Sequence, residues 1–111
     1  MDDALFAFVM RSLRRVSYKW GRAHTIAKGN ARIERGIYEC AMCKEHVSSK
    51  NINVDHILPV IPLHGSRSLD EVVPRLFCDA SGLQILCKPC HKIKTQQENK
   101  LRKAYRSAKK K

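Results

Sequence analysis

The sequence predicts a small α+β domain stapled by a metal ion, and three observations lead there. Two Cys-x-x-Cys pairs, Cys40 with Cys43 and Cys87 with Cys90, stand far apart along the chain. Each such turn lets two thiolates converge on one ion, and two turns complete a tetrahedral zinc shell. Short runs of strand-like alternation lie between and beside the pairs. Helical periodicity dominates both ends. At 111 residues the chain has room for one domain with a limited core, the size range in which a metal adds needed stability.

Residues 3 to 20 read as an amphipathic helix. Leu5, Phe6, Val9, Leu13, Val16 and Trp20 fall near one face, and Arg11, Arg14, Arg15 and Lys19 lie mostly off it. Asp2 or Asp3 is the expected N-cap. A second helix is expected within 22 to 35, weakened by Gly29-Asn30. Residues 36 to 46 read as a turn carrying the first cysteine pair. Ile52, Val54 and His56 then alternate with Asn53 and Asp55, the signature of a short strand that Pro59 and Pro62 end. Leu69, Val72, Val73, Leu76 and Phe77 recur at helical spacing. Pro74 is tolerated only in a first turn, so this helix is expected to start late or to kink. Gly82 to Leu86 reads as another strand and the last 20 or so residues as a basic helix. Its end, with Lys100, Arg102, Lys103, Arg106, Lys109, Lys110 and Lys111, holds no acid, so its last turns are expected to fray. The expected organisation is a basic helical arm over 1–35 and a main unit over 36–111, together one domain.

Charge narrows the partners. With 22 Lys+Arg against 10 Asp+Glu, the formal net charge is +12, and four thiolates on one zinc would still leave about +10. From Ala4 to Ile33 there is no acidic residue. A surface of this sign favours a polyanion, so DNA or RNA is the expected partner. No apolar run approaches the roughly 20 residues of a membrane span. The start, MDDALFAFVMRSLRR, places acids first and basic residues after the apolar ones, the reverse of a secretory signal. The expected location is therefore the cytoplasm, with no membrane association. In that reducing setting the five cysteines are expected as thiols and metal ligands, not disulfides.

Four protein ligands close the zinc shell, so that ion is expected to be structural. Cys87-Lys88-Pro89-Cys90-His91 also matches the pattern for c-type haem attachment. Haem would leave Cys40 and Cys43 without a role and would require export. A thioredoxin-like redox pair would require a β-α-β setting that neither pair has. Cys78 reads as a small buried hydrophobe.

Asp55, His56 and His91 exceed what a plain zinc clamp requires. Phosphodiester cleavage asks for a base that activates water and a cation that neutralises charge on the phosphate and leaving oxygen. Imidazole titrates near working pH and suits the first task. A carboxylate and an imidazole sharing a divalent ion suit the second. Neighbouring strand residues face opposite sides, so Asp55 and His56 share a site only where the strand ends or bends.

The run VDHILPV, then GLQILCKPCHKIKT, with a cysteine pair upstream, resembles the HNH endonuclease family in its zinc-bound form. The same arrangement is typical of small nucleases of phages and mobile elements. The resemblance covers residues 36 to 96. It implies a ββα-metal fold, a two-stranded ribbon and a helix cradling one divalent ion. It implies His56 as the general base, Asp55 and His91 as ligands of a catalytic magnesium or manganese, and Cys40, Cys43, Cys87 and Cys90 as ligands of the structural zinc. The products would carry 5′-phosphate and 3′-hydroxyl ends. For a phage protein the location would be the host cytoplasm, with a packaging or other partner protein alongside DNA. Lys92, Lys94, Arg102 and Lys103 are expected on phosphates, which sets affinity and not sequence preference. His24, His46 and His64 are read as exposed loop or surface histidines.

One letter departs from the family pattern. The family places an asparagine just before the Leu-Gln of its second strand, where it braces the loop bearing the base, and this chain has Gly82 there. Either backbone or another side chain substitutes, or catalysis is weakened. The alternative function is a zinc-stabilised nucleic-acid-binding protein without turnover.

Overall fold

The computed structural model describes residues 1–65 and 67–109. It has a mixed α+β architecture with four α-helices and two small sheets among the described residues. Helix α1 spans Asp3–Ser17 and α2 spans Arg22–Ala31. A three-stranded antiparallel sheet follows, from β1 (Arg32–Glu34), β2 (Ile37–Glu39) and β3 (His46–Ser48). Next come β4 (Ile52–His56), α3 (Leu69–Leu76), β5 (Leu83–Cys87) and α4 (Lys88–Lys109). The strands β4 and β5 form a separate antiparallel ribbon. None of the described helices is long and apolar enough to cross a membrane.

Asp2 is the N-cap of α1, and its side chain accepts from the Leu5 amide at 2.7 Å. The helix ends at Ser17, and its inward face differs from the expected stripe. Phe6, Met10 and Ser17 are buried, and Leu13 packs beside them. Leu5, Val16 and Trp20 are about half exposed. The helix is turned by its partners: Val60, Val72 and Leu76 from the connection after β4 and from α3 meet Phe6 and Met10. Each such buried side chain contributes roughly 1.5–3 kcal/mol. The buried Ser17 hydroxyl donates to the Arg14 carbonyl at 2.7 Å, so no polar group is stranded there.

Helix α2 stops at Ala31, and residues 32–34 extend into a strand instead of continuing the helix. Gly36, with φ +78°, makes the turn into β2, a conformation that a side chain would strain. The segment read as a plain turn therefore holds two strands around the first cysteine pair. Ala23 and Ala27 are the buried residues of α2 and pack on Leu83, which brings α2 against the ribbon.

The ribbon carries the register that matters. Ile52 pairs with Cys87, Val54 with Ile85, Asp55 with Gln84 and His56 with Leu83. In β5 all residues except Gln84 are buried. Pro74 lies inside α3, which starts at Leu69 and not later; the Phe77 amide still bonds to the Val73 carbonyl beyond the proline. In α4, Pro89 sits in the first turn, where its missing N–H costs nothing. The helix continues to Lys109; the fraying expected of Lys110 and Lys111 lies outside the described residues.

Gly82 closes the short 3₁₀ turn Ala80–Gly82 that leads into β5. A Cβ built there would stand 2.9 Å from Cys78 Sγ and 3.0 Å from Cys78 Cβ. Cys78 lies just after α3 and packs with the Ala23, Ala27 and Leu83 cluster. Gly82→Ala is expected to destabilise by about 1–3 kcal/mol through overpacking. Cys78→Ala in that background should restore only part, because Cβ of residue 78 remains. Urea unfolding midpoints measure both, and an unchanged midpoint for Gly82→Ala would refute the close contact.

Candidate functional site

Two clusters of side chains stand out among the described residues. The first is the cysteine cluster. Cys40 follows β2, Cys43 lies in the next turn, Cys87 ends β5 and Cys90 opens α4. Their four sulfurs lie within 4.8 Å of one another. A zinc ion about 2.3 Å from each sulfur would set them about 3.8 Å apart, and Cys43 and Cys87 stand at 3.8 Å. None of the five cysteines is in a disulfide. The turn is docked on the ribbon by the Ala41 amide, which donates to the Ile85 carbonyl at 2.8 Å. Lys44, with φ +64°, closes it in the left-handed region.

The electrostatics of the cluster fit a divalent cation. Burial pushes the Cys40 thiol up. The backbone amides of Cys43, Cys87 and Met42 and the Cys43 side chain outweigh it and bring Cys40 down to about 6. Cys90 is pushed up to about 12, first by its hydrogen bond with Cys87, then by burial and the other two sulfurs. Four crowded sulfurs cannot all ionise without a counter-charge, and a zinc ion supplies it. The cluster is compatible with a structural zinc site.

The second centre is built on β4 and α4. Asp55 is a buried charged side chain, 8 % exposed. Its Oδ2 accepts from Gln84 Nε2 at 2.9 Å and forms an ion pair with Lys94 Nζ at 3.1 Å. Its Oδ1 faces His91 Nε2 at 3.7 Å. Two ligands each about 2.1 Å from one divalent ion can stand up to about 4.2 Å apart, so these two atoms fit a shared ion. His56 ends β4, which lets it line the same cleft as Asp55 and His91 although the two are sequence neighbours. His56 Nε2 lies 3.1 Å from the Leu76 carbonyl. A carbonyl only accepts, so Nε2 carries the proton and Nδ1 of the neutral ring carries the lone pair.

The loop leaving β4 is held by backbone and by distant side chains. The Ile57 amide donates to the Gly82 carbonyl at 2.9 Å. Arg75 donates to the Pro59 carbonyl at 3.0 Å, and Lys94 donates to the His56 carbonyl at 3.0 Å. The carbonyl of Gly82 thus braces this loop at a position with no side chain to do so.

The cleft has a volume of about 840 Å³, and its far wall comes from α1 and α2. His24 is part of that wall, half-buried and edge-on to His56 with ring centroids 6.3 Å apart. That differs from the exposed position expected for it, while His46 and His64 are exposed. Burial first, and then the charges of His56 and Lys28, push the His24 pKa down. Its Nδ1 is buried with no partner among the described residues, so protonation would strand a buried donor. Arg14 and Lys28 add positive charge to the same wall.

Of the cations expected on phosphates, Lys92 and Lys103 are exposed on α4. Arg102 is half-buried, lines the cleft and donates to the Pro62 carbonyl at 3.4 Å. Lys94 is turned inward. Sequence reasoning did not single out Gln84, Glu98 or Arg75, and it misread His24. The register of β4 with β5 brings Gln84 to the site, α4 brings Glu98, and the packing of α2 and α3 brings His24 and Arg75.

Comparison with family models, with curated proteins and with solved structures finds no match for this chain.

Proposed function

We propose that the protein is a metal-dependent endonuclease of the HNH type, hydrolysing DNA phosphodiester bonds to leave 5′-phosphate and 3′-hydroxyl ends. The observation that carries this reading is the convergence of Asp55 Oδ1 and His91 Nε2, 3.7 Å apart, in a cleft that His56 also lines. On this reading the β4–β5 ribbon and α4 form a ββα-metal core. Asp55 and His91 hold a magnesium or manganese ion, which when bound supplies positive charge to the phosphate and the departing 3′ oxygen. His56 takes the proton of the attacking water at Nδ1, its ring aimed by the Leu76 carbonyl. Gln84 and Lys94 occupy Asp55 Oδ2 and so leave Oδ1 for the ion. The net charge of +12 and the basic wall of the cleft supply affinity for the phosphate backbone.

Gly82 is the argument for the alternative, a zinc-stabilised DNA-binding protein without turnover. The Gly82, Pro59 and His56 carbonyl contacts weigh against it, since backbone acceptors brace the loop there. A plasmid-nicking assay with added magnesium or manganese separates the two. Conversion of supercoiled to open-circular DNA, with ends that accept ligation, is expected. DNA binding with no cleavage in either metal leaves the alternative standing and overturns the nuclease.

A further inference from the structure

Lys94 was expected on a phosphate, yet the geometry gives its ammonium group other work. An ammonium has three N–H donors and no acceptor. Lys94 Nζ meets three acceptors: Asp55 Oδ2 at 3.1 Å, Glu98 Oε1 at 3.1 Å and the His56 carbonyl at 3.0 Å. Its side chain is 17 % exposed, against 9 % for Asp55 and 20 % for Glu98. Two hydrogen bonds, to the His56 carbonyl and Glu98, and an ion pair with Asp55 hold the ammonium inside the protein, so a phosphate could be reached only by giving up contacts in a partly dry setting.

We propose that Lys94 is a positioning residue that ties the Asp55 carboxylate and the backbone of His56 to helix α4, and that it makes no contact with the nucleic acid. Two elements meet at this one nitrogen. From β4 come Asp55 and the carbonyl of His56, and from α4 come Lys94 itself and, one turn on, Glu98. His91, the facing partner of Asp55, lies one turn before Lys94 on the same helix. The bond to Asp55 therefore fixes the spacing between the two residues assigned to the ion, and the bond to the His56 carbonyl fixes the backbone from which the base projects. Glu98 shares the Lys94 ammonium with Asp55. The positioning role rests on the nuclease reading; the absence of a phosphate contact does not.

Salt dependence of DNA binding tests it, because a lysine on a phosphate contributes about 0.9 to the slope of log K against log salt. In buffer without added magnesium or manganese, Lys94→Met is expected to keep the wild-type slope, whereas Lys92→Gln should lower it by about 0.9. A slope lowered equally by Lys94→Met overturns the proposal. In turnover, Lys94→Met is expected to lose about 10²-fold in kcat, the cost of a displacement near 1 Å, with little change in KM. Lys94→Arg separates the roles further. A phosphate contact accepts arginine, but three converging acceptors fitted to a compact ammonium do not take a planar guanidinium. Arginine is expected to fail as methionine does; restored cleavage overturns the clamp.

A readout on the wild-type chain covers the case of a variant that does not fold. In protein carrying ¹⁵N-lysine, the Lys94 ammonium is expected to give a ¹H–¹⁵N cross-peak from slow proton exchange before DNA is added. A peak that emerges only with DNA marks an ammonium waiting in solvent for phosphate, and sinks the proposal. Should wild-type protein cut no DNA in any metal, the nuclease reading falls, while slope and cross-peak still report where Lys94 spends its protons.

Discussion

Replacing Cys87 by serine is expected to cost the protein its bound zinc and its fold together. Cys87 is the last residue of β5, 6 % exposed, and pairs with Ile52 on β4. Its sulfur stands 3.8 Å from Cys43, 44 residues earlier in the chain. Serine oxygen is a poor zinc ligand at neutral pH, so the shell opens to three thiolates. Structural zinc contributes an apparent 10–16 kcal/mol, roughly, in small zinc domains, while whole domains are stable by only about 5–15 kcal/mol. Among the described residues the cysteine cluster is also one of three small packing clusters and not an accessory to a large core. Elemental analysis of the purified wild type should give one zinc per chain, and the variant none. Collapse of amide dispersion in the NMR spectrum of the variant should accompany the loss. A zinc-free variant with native dispersion would falsify the clamp.

The second large effect is expected from His56→Ala. A positioned general base is worth about 10²–10⁴-fold, so nicking should fall by that factor in magnesium and in manganese alike. The cost in stability is smaller, about 1 kcal/mol for the lost bond to the Leu76 carbonyl. DNA affinity, measured by fluorescence anisotropy without added magnesium or manganese, should stay near wild type because the backbone cations remain. Asp55→Ala makes the instructive contrast. It would take the shared carboxylate from Gln84, Lys94 and His91 at once, leaving Lys94 only Glu98 and the His56 carbonyl, so a loss of melting temperature should accompany the loss of cutting. Undiminished nicking by His56→Ala would remove the histidine from the mechanism.

How far the sequence alone reaches can be judged residue by residue. The cysteine cluster was legible because chemistry fixes the spacing within each pair and the demand for four ligands joins the two pairs. The strand at 52–56 was legible from alternation and from the prolines beyond it, and the strand expected over 82–86 lies one residue later, at 83–87. The strands β1, β2 and β3 were not, since three residues are too few to carry a period. On α1 periodicity pointed to one face, with Leu5, Phe6, Val9, Leu13, Val16 and Trp20. Packing against Val60, Val72 and Leu76 chose the one with Met10 and Ser17. Gln84 is opposite Asp55 only by register, a non-local fact that a single strand's pattern does not encode. His24 looks like any histidine on a basic helix until α2 lies against the ribbon. The inward turn of Lys94 was hidden for the same reason: among so many cations, nothing local distinguishes the one that meets two carboxylates.

The adjacency of Cys90 and His91 gives the molecule a built-in optical probe. One peptide bond joins Cys90, one of the four clustered cysteines, to His91, whose imidazole faces Asp55. Cobalt(II) in place of zinc keeps a tetrahedral thiolate shell and absorbs visible light, with band positions that follow the shape of the shell. Any pull on the His91 backbone is passed directly to Cys90, so the colour of the cluster should respond to events in the neighbouring cleft. A spectrophotometer trained on the thiolates would then follow the imidazole next door in real time, with no label attached to protein or DNA.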